Sequence, residues 1–383
     1  MSRPFDGHLC HWKWAGTMVP LGDHWLTMDL KKPDIPDILL PGLRSAIQSL
    51  YLLFSLYIGF RFYQFYQWAM NGQGEAPTRP PSVEAFLPIS ALMGLKRLIL
   101  TGKYDPVHPA GLTILIAIMV SALLFRKGFC GWVCPVGAIS NRLEKLGRRI
   151  NAAWRLPRWV DYPLLSAKYL LLGFFIYMIF WKMDLRQTEG FIMSPYNIAA
   201  DAKMLQFFLS PTDTALAIIV ALAALSVLIR NFWCRYLCPY GALLGLLAVA
   251  GPVQMRRDAS HCTNCGSCER ACPSSVRITS YAAIRSCECI GCSQCAAACP
   301  DGCITPAAIL PLPNRPDRDG PNADGQEEGQ RARRWIPASK LFIPTGTILI
   351  LLCAWAVAEM AGLWESQVPP EVFSRMYKLV IGG

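Results

Sequence analysis

The chain has 383 residues, of which 53% are hydrophobic and only 16% are charged, and its formal net charge is +11. Because soluble domains carry about 25% charged residues, this composition excludes an ordinary soluble protein and predicts that much of the chain faces lipid. The basic residues flank apolar segments, as they do in the cytoplasmic loops of membrane proteins, so the positive charge does not predict nucleic-acid binding.

Five apolar segments predict membrane helices, since a span needs about 20 mostly apolar residues. In chain order they cover residues 45–70, 107–125, 162–181, 214–229 and 341–358. Lys168 falls inside the third segment and must either reach the interface or face a partner. A short amphipathic stretch at 86–100 is expected to lie flat on the outer surface.

The basic loops set the predicted orientation. Residues 126–158, 230–257 and 331–334 are rich in Lys and Arg and belong in the cytoplasm of a bacterium by the positive-inside rule. The N-terminus is then on the cytoplasmic side of the inner membrane and the C-terminal tail on the outer side. Residues 1–30 show no cleavable signal. The predicted organisation is a cytoplasmic segment (1–44), a membrane domain of four helices (45–257), a cysteine-rich domain (258–306), a flexible linker (307–337) and a fifth helix with a short outer tail (338–383).

Two cysteine runs carry the strongest chemical pattern. C-x2-C-x2-C-x3-C-P occurs at 262–273 and again at 289–300. In bacterial two-cluster ferredoxins with this spacing, the fourth cysteine of each run ligates the other [4Fe–4S] cluster, whereas zinc sites usually pair two C-x-x-C units across a longer gap. The predicted ligands are Cys262, Cys265, Cys268 and Cys299 (the first set) and Cys289, Cys292, Cys295 and Cys272 (the second set).

These patterns together define the expected fold class. It is an α-helical integral membrane protein of about five transmembrane helices, with a small α+β domain like a two-cluster bacterial ferredoxin. The clusters are expected on the cytoplasmic side.

An internal repeat supplies a further group of cysteines. Residues 126–138 align with 230–242, and each copy follows an apolar helix and contains the motif C-x3-C-P. On a helix, positions i and i+4 share a face, so each pair is expected to point two sulfurs in one direction. Three roles compete for these residues: a further cluster, a thiol or copper site, or structural cysteines. They are Cys130, Cys134, Cys234 and Cys238 (the four-thiol set).

The motif order resembles that of polyferredoxin membrane proteins of the NapH, NosR and CcoG type, over about residues 45–306. The resemblance implies a helical membrane bundle with a cytoplasmic ferredoxin-like domain. NapH-like and NosR-like members pass electrons from quinol towards periplasmic reductases, and CcoG-like members reduce copper during oxidase assembly. The sequence shows a helix after the clusters, as CcoG does, but no counterpart of the outer C-terminal domain of CcoG or of the flavin-bearing domain of NosR.

A quinone site would need an apolar slot near an interface together with a proton acceptor. Glu84, Asp105, His108 and Arg61 are the candidates, because ionisable groups at a membrane interface are often functional. The sequence has no CxxCH haem motif and no GxGxxG nucleotide motif.

Membrane electron transfer is therefore the favoured function, between the quinone pool or a cytoplasmic donor and a partner cytochrome or reductase. The alternatives are a CcoG-like copper-reducing assembly factor and a redox-sensing regulatory protein.

Overall fold

A computed structural model describes residues 39–72, 74–309 and 335–382, and these residues are mostly helical. Residues 1–38 of the predicted segment 1–44 and the central part of the predicted linker, 310–334, lie outside the described residues, and residues 39–44 already belong to the first helix. The helices of the membrane domain are α1 (Leu39–Asn71), α2 (Pro88–Thr101), α3 (Pro109–Phe125), α4 (Pro135–Arg149), α5 (Arg158–Ile176), α6 (Leu185–Ile192), α7 (Pro195–Ile198), α8 (Ala200–Leu209), α9 (Asp213–Leu228) and α10 (Pro239–Ala250).

A second group of elements follows α10. Helices α11 (Ser267–Ala271) and α12 (Gln294–Ala297) are short, and α13 (Phe342–Met360) and α14 (Pro370–Ile381) close the chain. A 3₁₀ turn covers Pro81–Phe86, and π-helical turns cover Phe129–Val133, Tyr177–Lys182 and Trp233–Leu237. The strands are β1 (Val253–Arg257), β2 (Ala283–Ile284), β3 (Ile304–Ile309) and β4 (Trp335–Pro337).

The long helices run between two ends of one bundle. Helix α1 is 33 residues long, about 50 Å at 1.5 Å per residue. Near its start Arg44 donates to the carbonyl oxygen of Gly131, and near its end the Ala69 carbonyl accepts from Ser374. We call the first end, which holds the cysteine motifs, the cysteine end, and the other the far end. Helix α3 runs back from the far end to the cysteine end.

The number of membrane spans differs from the prediction. Three described helical segments are long and apolar enough to cross a membrane, or four if α8 and α9 count as one span. Helices α8 and α9 meet at 80°, because Pro211 between them lacks a backbone N–H and disfavours helix in the residue before it. Helix α3 is apolar but has only 17 residues. Five spans are therefore not confirmed.

The cysteine-rich domain is a small α+β unit built on an antiparallel sheet of order β2-β1-β3-β4. Met255 pairs with Ile284 on one side and with Pro306 on the other. The domain begins at Val253 instead of 258, since the apolar residues of β1 belong to its core. Residues 307–309 and 335–337, at the two ends of the predicted linker, belong to strands β3 and β4 of this sheet. These two ends are therefore strands and not flexible chain.

Helix α2 packs inside the bundle, where the sequence predicted a helix lying flat on the surface. It contacts α3 and α6, and Lys96 is only 3% exposed. The Lys96 ammonium donates to the carbonyl oxygen of Ile179 at 2.7 Å and also to that of Met183. The lysine therefore satisfies carbonyl groups at the end of the π-helical turn, where a helix leaves its last carbonyls without intrahelical donors.

Candidate metal centres

The two ferredoxin loops have matching backbones. In the first, Asn264 and Gly266 have positive φ angles of 55° and 70°. In the second, Gly291 and Ser293 occupy the corresponding positions, with φ angles of 62° and 56°. Non-glycine residues rarely adopt positive φ, so two loops that share it at two positions follow the same path around their cysteines.

The second set surrounds one apolar cavity. Cys272 lines this cavity together with Cys289, Cys292 and Cys295, although Cys272 belongs to the other run. Buried side chains complete the wall, among them Met255, Ile278 and Ile284. The fold thus brings together the four cysteines predicted to share a cluster, in a place that excludes water. This arrangement fits a [4Fe–4S] cluster.

The first set lies nearer to the surface. Cys268 is buried and Cys299 is half-buried against the same core, whereas Cys265 is exposed. Helix α11, which carries Cys268, packs on α12, which leads to Cys299. A cluster held here would lie closer to the protein surface than one held by the second set.

No cysteine of the described ranges is in a disulfide, so all of these thiols are available as ligands. Within 39–72, 74–309 and 335–382 there is no group of three or more His, Cys, Asp or Glu side chains close enough to bind a single ion. The ligands of a cluster surround a body of four irons and stand further apart than the ligands of one zinc ion.

The repeated C-x3-C-P motifs do not lie on regular α-helices, as the i, i+4 argument assumed. Cys130 and Cys234 lie in π-helical turns, and Cys134 and Cys238 are the N-caps of α4 and α10. Each motif proline takes the first helical position, where its missing N–H costs nothing. The motif therefore encodes a turn and a helix start, and π turns of this kind are frequent at functional sites.

Two helix N-termini point at this group of sulfurs. The Cys134 Sγ accepts the backbone N–H of Gly137 at 3.5 Å, and the Cys238 Sγ accepts that of Gly241 at 3.3 Å. N–H groups at a helix N-terminus favour negative charge, so they stabilise thiolates or a metal-bound form of the cysteines.

The four thiols lie within electrostatic reach of one another. Burial raises the pKa of Cys130, Cys134 and Cys234 to about 12, and repulsion from neighbouring cysteines of the same set adds to the rise. Free thiols here would stay protonated at neutral pH. A metal would be needed to hold them as thiolates, which is the form in which cysteine binds iron.

Both copies of the C-x3-C-P repeat touch the second ferredoxin loop or the residues just before it. A Cβ on Gly131 would overlap the carbonyl oxygen of Ile290, so the two backbones meet there without side chains between them. The buried indole of Trp132 donates to the carbonyl oxygen of Gly291 at 3.1 Å. From the other copy of the repeat, α10 approaches so closely that a Cβ on Gly245 would lie 2.7 Å from the Cys287 carbonyl oxygen.

Buried charges hold the same interface. Lys168 is fully buried, and its ammonium lies 2.6 and 2.7 Å from the two carboxylate oxygens of Glu288, next to Cys289. Tyr169 donates to the same carboxylate at 3.1 Å, and Lys127 donates to the Cys287 carbonyl at 3.2 Å. The lysine within the predicted membrane helix therefore faces a partner, one of the two options its position left open.

The predicted quinone residues lie at the far end, and two of them meet. The His108 Nδ1 is 3.3 Å from a carboxylate oxygen of Glu84, and both side chains are fully buried. Arg79 joins Glu84 at 2.7 Å and Asp201 at 2.7 Å, and Tyr377 donates to Asp201 at 2.9 Å. We call these five residues the far-end network. They lie about 25 Å from the cysteine motifs, measured along the 17 residues of α3.

The other two candidates behave differently. Asp105 lies beside the network, where its Oδ1 accepts the backbone N–H groups of Val107 and His108 and its buried Oδ2 has no partner within the described ranges. Burial raises the pKa of Asp105. The structure does not bring Arg61 to the network, and its buried Nε has no hydrogen-bond partner among the described residues.

Sequence reasoning missed three members of the far-end network. Arg79, Asp201 and Tyr377 come from a loop, from α8 and from the C-terminal helix α14, so their separation in sequence hides their contact. The one local signal for these three residues was that each is ionisable and lies in a mostly apolar region, where ionisable residues are infrequent.

Both kinds of cysteine motif lie in segments that match known iron–sulfur protein families. Residues 107–152 and 214–256 match the family described as "4Fe-4S binding domain". Residues 254–300 match the family described as "4Fe-4S dicluster domain". The first match contains both copies of the C-x3-C-P repeat, and the second contains the two ferredoxin loops.

Individual relatives extend the likeness over most of the chain. It is 36% identical over 340 residues to the Escherichia coli (strain K12) protein named "Putative electron transport protein YccM", covering 87% of this chain and 89% of that protein. It is 27% identical over 173 residues to "Ferredoxin-type protein NapH" of Escherichia coli, covering 43% and 55%. It is 30% identical over 207 residues to "Methylamine utilization ferredoxin-type protein MauN" of Methylorubrum extorquens, covering 50% and 63%. No solved structure matches the chain.

Proposed function

The chain belongs to the polyferredoxin-type membrane iron–sulfur proteins, and from this premise we propose that it carries electrons between the quinone pool and a partner redox protein. The general activity, electron transfer through [4Fe–4S] clusters, is supported by the ferredoxin-type families and relatives that the chain matches. The quinone, the number of clusters and the partner are the parts that we add.

One observation carries the proposal: the three groups of cysteines follow one another without a gap in the packing. The first set, which reaches the surface at Cys265, and the more deeply buried second set contribute cysteines to one core. The second loop then touches Gly131 and Trp132, which lie between Cys130 and Cys134 of the four-thiol set. Such a succession supports a relay from the aqueous side into the membrane domain.

When bound, each cluster supplies a site that accepts and releases one electron. The chain's own residues do the remaining work. Cys262, Cys265, Cys268 and Cys299 would hold the first cluster near solvent, and Cys289, Cys292, Cys295 and Cys272 would hold the second in the apolar cavity. Apolar walls keep water from the second set, while the Lys168–Glu288 pair fixes its loop on the membrane domain.

We further propose that the four-thiol set holds an additional iron–sulfur cluster. Two observations support this assignment over a purely structural role. Two helix N-termini direct N–H groups at the sulfurs, and both copies of the repeat fall within the matched 4Fe-4S binding family. Copper bound by the same cysteines is the alternative that the experiment below must separate.

In this proposal the far-end network exchanges protons with quinol. Glu84 and His108 are joined by a hydrogen bond and buried, which suits a proton acceptor close to a membrane interface. Oxidation of one quinol releases two protons and two electrons. Because the network lies at the opposite end of α3 from the cysteines, we assign the protons to the network and the two electrons, taken one at a time, to the cluster of the four-thiol set. In our proposed orientation the cysteine end faces the bacterial cytoplasm and the far end faces outward.

Metal content tests the relay. We would measure iron, sulfide and EPR spectra of the full chain in detergent, for the wild type and for Cys130→Ser combined with Cys134→Ser. Cys353→Ser is the matched control, because Cys353 is exposed on α13 and away from the motifs. A third cluster predicts that iron falls by about a third in the double variant only. Equal iron in all three proteins would show that these cysteines hold no cluster.

Activity tests the quinone. Quinol analogue added to the purified protein should bleach the cluster absorbance, and Glu84→Gln should slow this reaction while Glu75→Gln, at an exposed position of the same loop, should not. An unchanged rate in Glu84→Gln would remove the network from the proposal. Stoichiometric Cu(I) production that is abolished by Cys130→Ser would instead favour copper reduction.

A further inference from the structure

Two arginines lie buried at the cysteine end without an acidic partner. Arg44 is 2% exposed and Arg126 is fully buried. In the part of the chain that the structure describes, neither forms a salt bridge, and three of their nitrogens, Arg44 Nη2 and Arg126 Nε and Nη1, have no hydrogen-bond partner. Burying a cation without an anion destabilises the fold strongly. We therefore expect a negative charge near these two arginines.

Arg44 contacts the first copy of the repeat next to Cys130 and lies within electrostatic reach of the second set. Its Nε donates to the Gly131 carbonyl at 3.0 Å, and Gln48 donates to the same oxygen at 2.9 Å. Among the groups that act on Arg44 electrostatically are Cys292 and Cys272, both predicted ligands of the second cluster. Glu144 also acts on it, but that carboxylate is already paired with Arg148.

Arg126 lies against the same loop. Its Nη2 donates to the Ser286 carbonyl at 2.8 Å. Its Cβ lies 3.7 Å from the position that a Cβ on Gly291 would occupy. Ser286 and Gly291 bracket Cys289, so Arg126 contacts the loop of the second set directly.

A [4Fe–4S] cluster with four thiolates is net negative, and it becomes more negative when reduced. Its potential depends on nearby charge, on hydrogen bonds to sulfur and on solvent exposure. Burial of the second set disfavours the added negative charge, and buried cations counteract this effect because little water screens them. At the first set, Arg257 and Arg270 lie at the surface, where screening weakens such an effect.

Resting on the proposed function, we propose that Arg44 and Arg126 are the counter-charges of the second cluster, and that they raise its reduction potential so that a cluster buried from water remains reducible. They act through space on the ligand loop and are not ligands. In this role the charge of each side chain matters more than its shape.

EPR-monitored redox titration of the full chain in detergent tests this proposal. Arg44→Met and Arg126→Met remove a charge but keep an apolar stem, and Arg44→Lys keeps the charge. The control is Arg375→Met, at an exposed position of α14. Each methionine variant should change the reduced-to-oxidised ratio of the second cluster by at least about tenfold at a fixed potential, which is 59 mV for one electron. Arg44→Lys and Arg375→Met should stay near the wild type.

The outcomes separate cleanly. Full iron content with an unchanged potential of the second cluster in both methionine variants would overturn the proposal, as would an equal shift of both clusters. Cys265→Ser identifies the signals of the first cluster. If Arg44→Met does not fold, Arg126→Met decides alone, since Gln48 and Arg44 then still hold the Gly131 carbonyl. A wild type without clusters would overturn the proposed function and this inference together, whereas full cluster content with unchanged potentials would overturn this inference alone.

Discussion

Trp132 donates its indole N–H to the carbonyl oxygen of Gly291 across 159 positions of sequence, and no part of the indole is exposed to solvent. This bond joins the first copy of the C-x3-C-P repeat to the second ferredoxin loop. It lies at the point where two groups of cysteines meet, so its integrity should affect both stability and the relay.

Trp132→Phe should lower the free energy of unfolding by about 1–3 kcal/mol, because the Gly291 carbonyl would be left buried without this donor. Thermal unfolding in detergent, followed by the cluster absorbance, measures the loss. Trp159→Phe is the matched control, since Trp159 is 78% exposed on α5. Equal midpoints for the two variants would contradict a role of the Trp132 bond.

Gly131→Ala should disturb the contact between the first copy of the C-x3-C-P repeat and the second ferredoxin loop. The new methyl group would overlap the Ile290 carbonyl oxygen, and that atom belongs to a backbone that cannot rotate away. We expect a loss of about 1–3 kcal/mol in stability, as for other overpacked positions, together with reduced iron content.

Gly173→Ala provides the comparison for that variant. A Cβ at Gly173 would meet no atom within 4 Å, and alanine favours helix over glycine by up to about 1 kcal/mol. Iron content equal to the wild type in both glycine variants would mean that the close approach at Gly131 is dispensable.

The Lys168–Glu288 pair should stabilise the interface between the cysteine-rich domain and the membrane domain. Lys168→Met leaves a buried carboxylate and should cost about 3–5 kcal/mol, as broken buried pairs do. Adding Glu288→Gln should recover part of this loss, because no unpaired charge then remains. Denaturation of the four proteins of this double-mutant cycle gives the coupling energy, and additive effects would show that the two residues do not interact.

Asp105→Asn should stabilise the protein at neutral pH. Burial raises the pKa of Asp105 in the folded state, so the wild type loses stability as pH rises through the lower, unfolded pKa of about 3.9. Asparagine keeps an oxygen for the N–H groups of Val107 and His108 and carries no charge. The advantage should shrink as pH falls towards 4, and a variant less stable than the wild type at pH 7 would contradict this account.

Agreement between sequence and structure depended on how local each feature is. The repeated spacing of the two ferredoxin runs predicted that their loops are alike, and they share positive φ angles at matching positions. The C-x3-C-P motifs were expected on regular helices, but each forms a turn before a helix that begins at Pro135 or Pro239. The depth of α2 and the bend between α8 and α9 did not follow from hydropathy alone. The depth of α2 depends on the carbonyl groups that accept hydrogen bonds from Lys96. The bend depends on the proline that separates α8 from α9.

The sequence by itself determined the chemistry of this protein: the spacing of the cysteines, their duplication and the apolar helices that carry them. These are short-range patterns that a ligand loop or a helix requires locally. Only the tertiary structure decided that Cys272 shares a cavity with Cys289, that Trp132 reaches Gly291, and that Arg79 joins Glu84 to Asp201. Such contacts depend on the packing of distant segments, and buried charges then select their partners because an unpaired one would be too costly in an apolar interior.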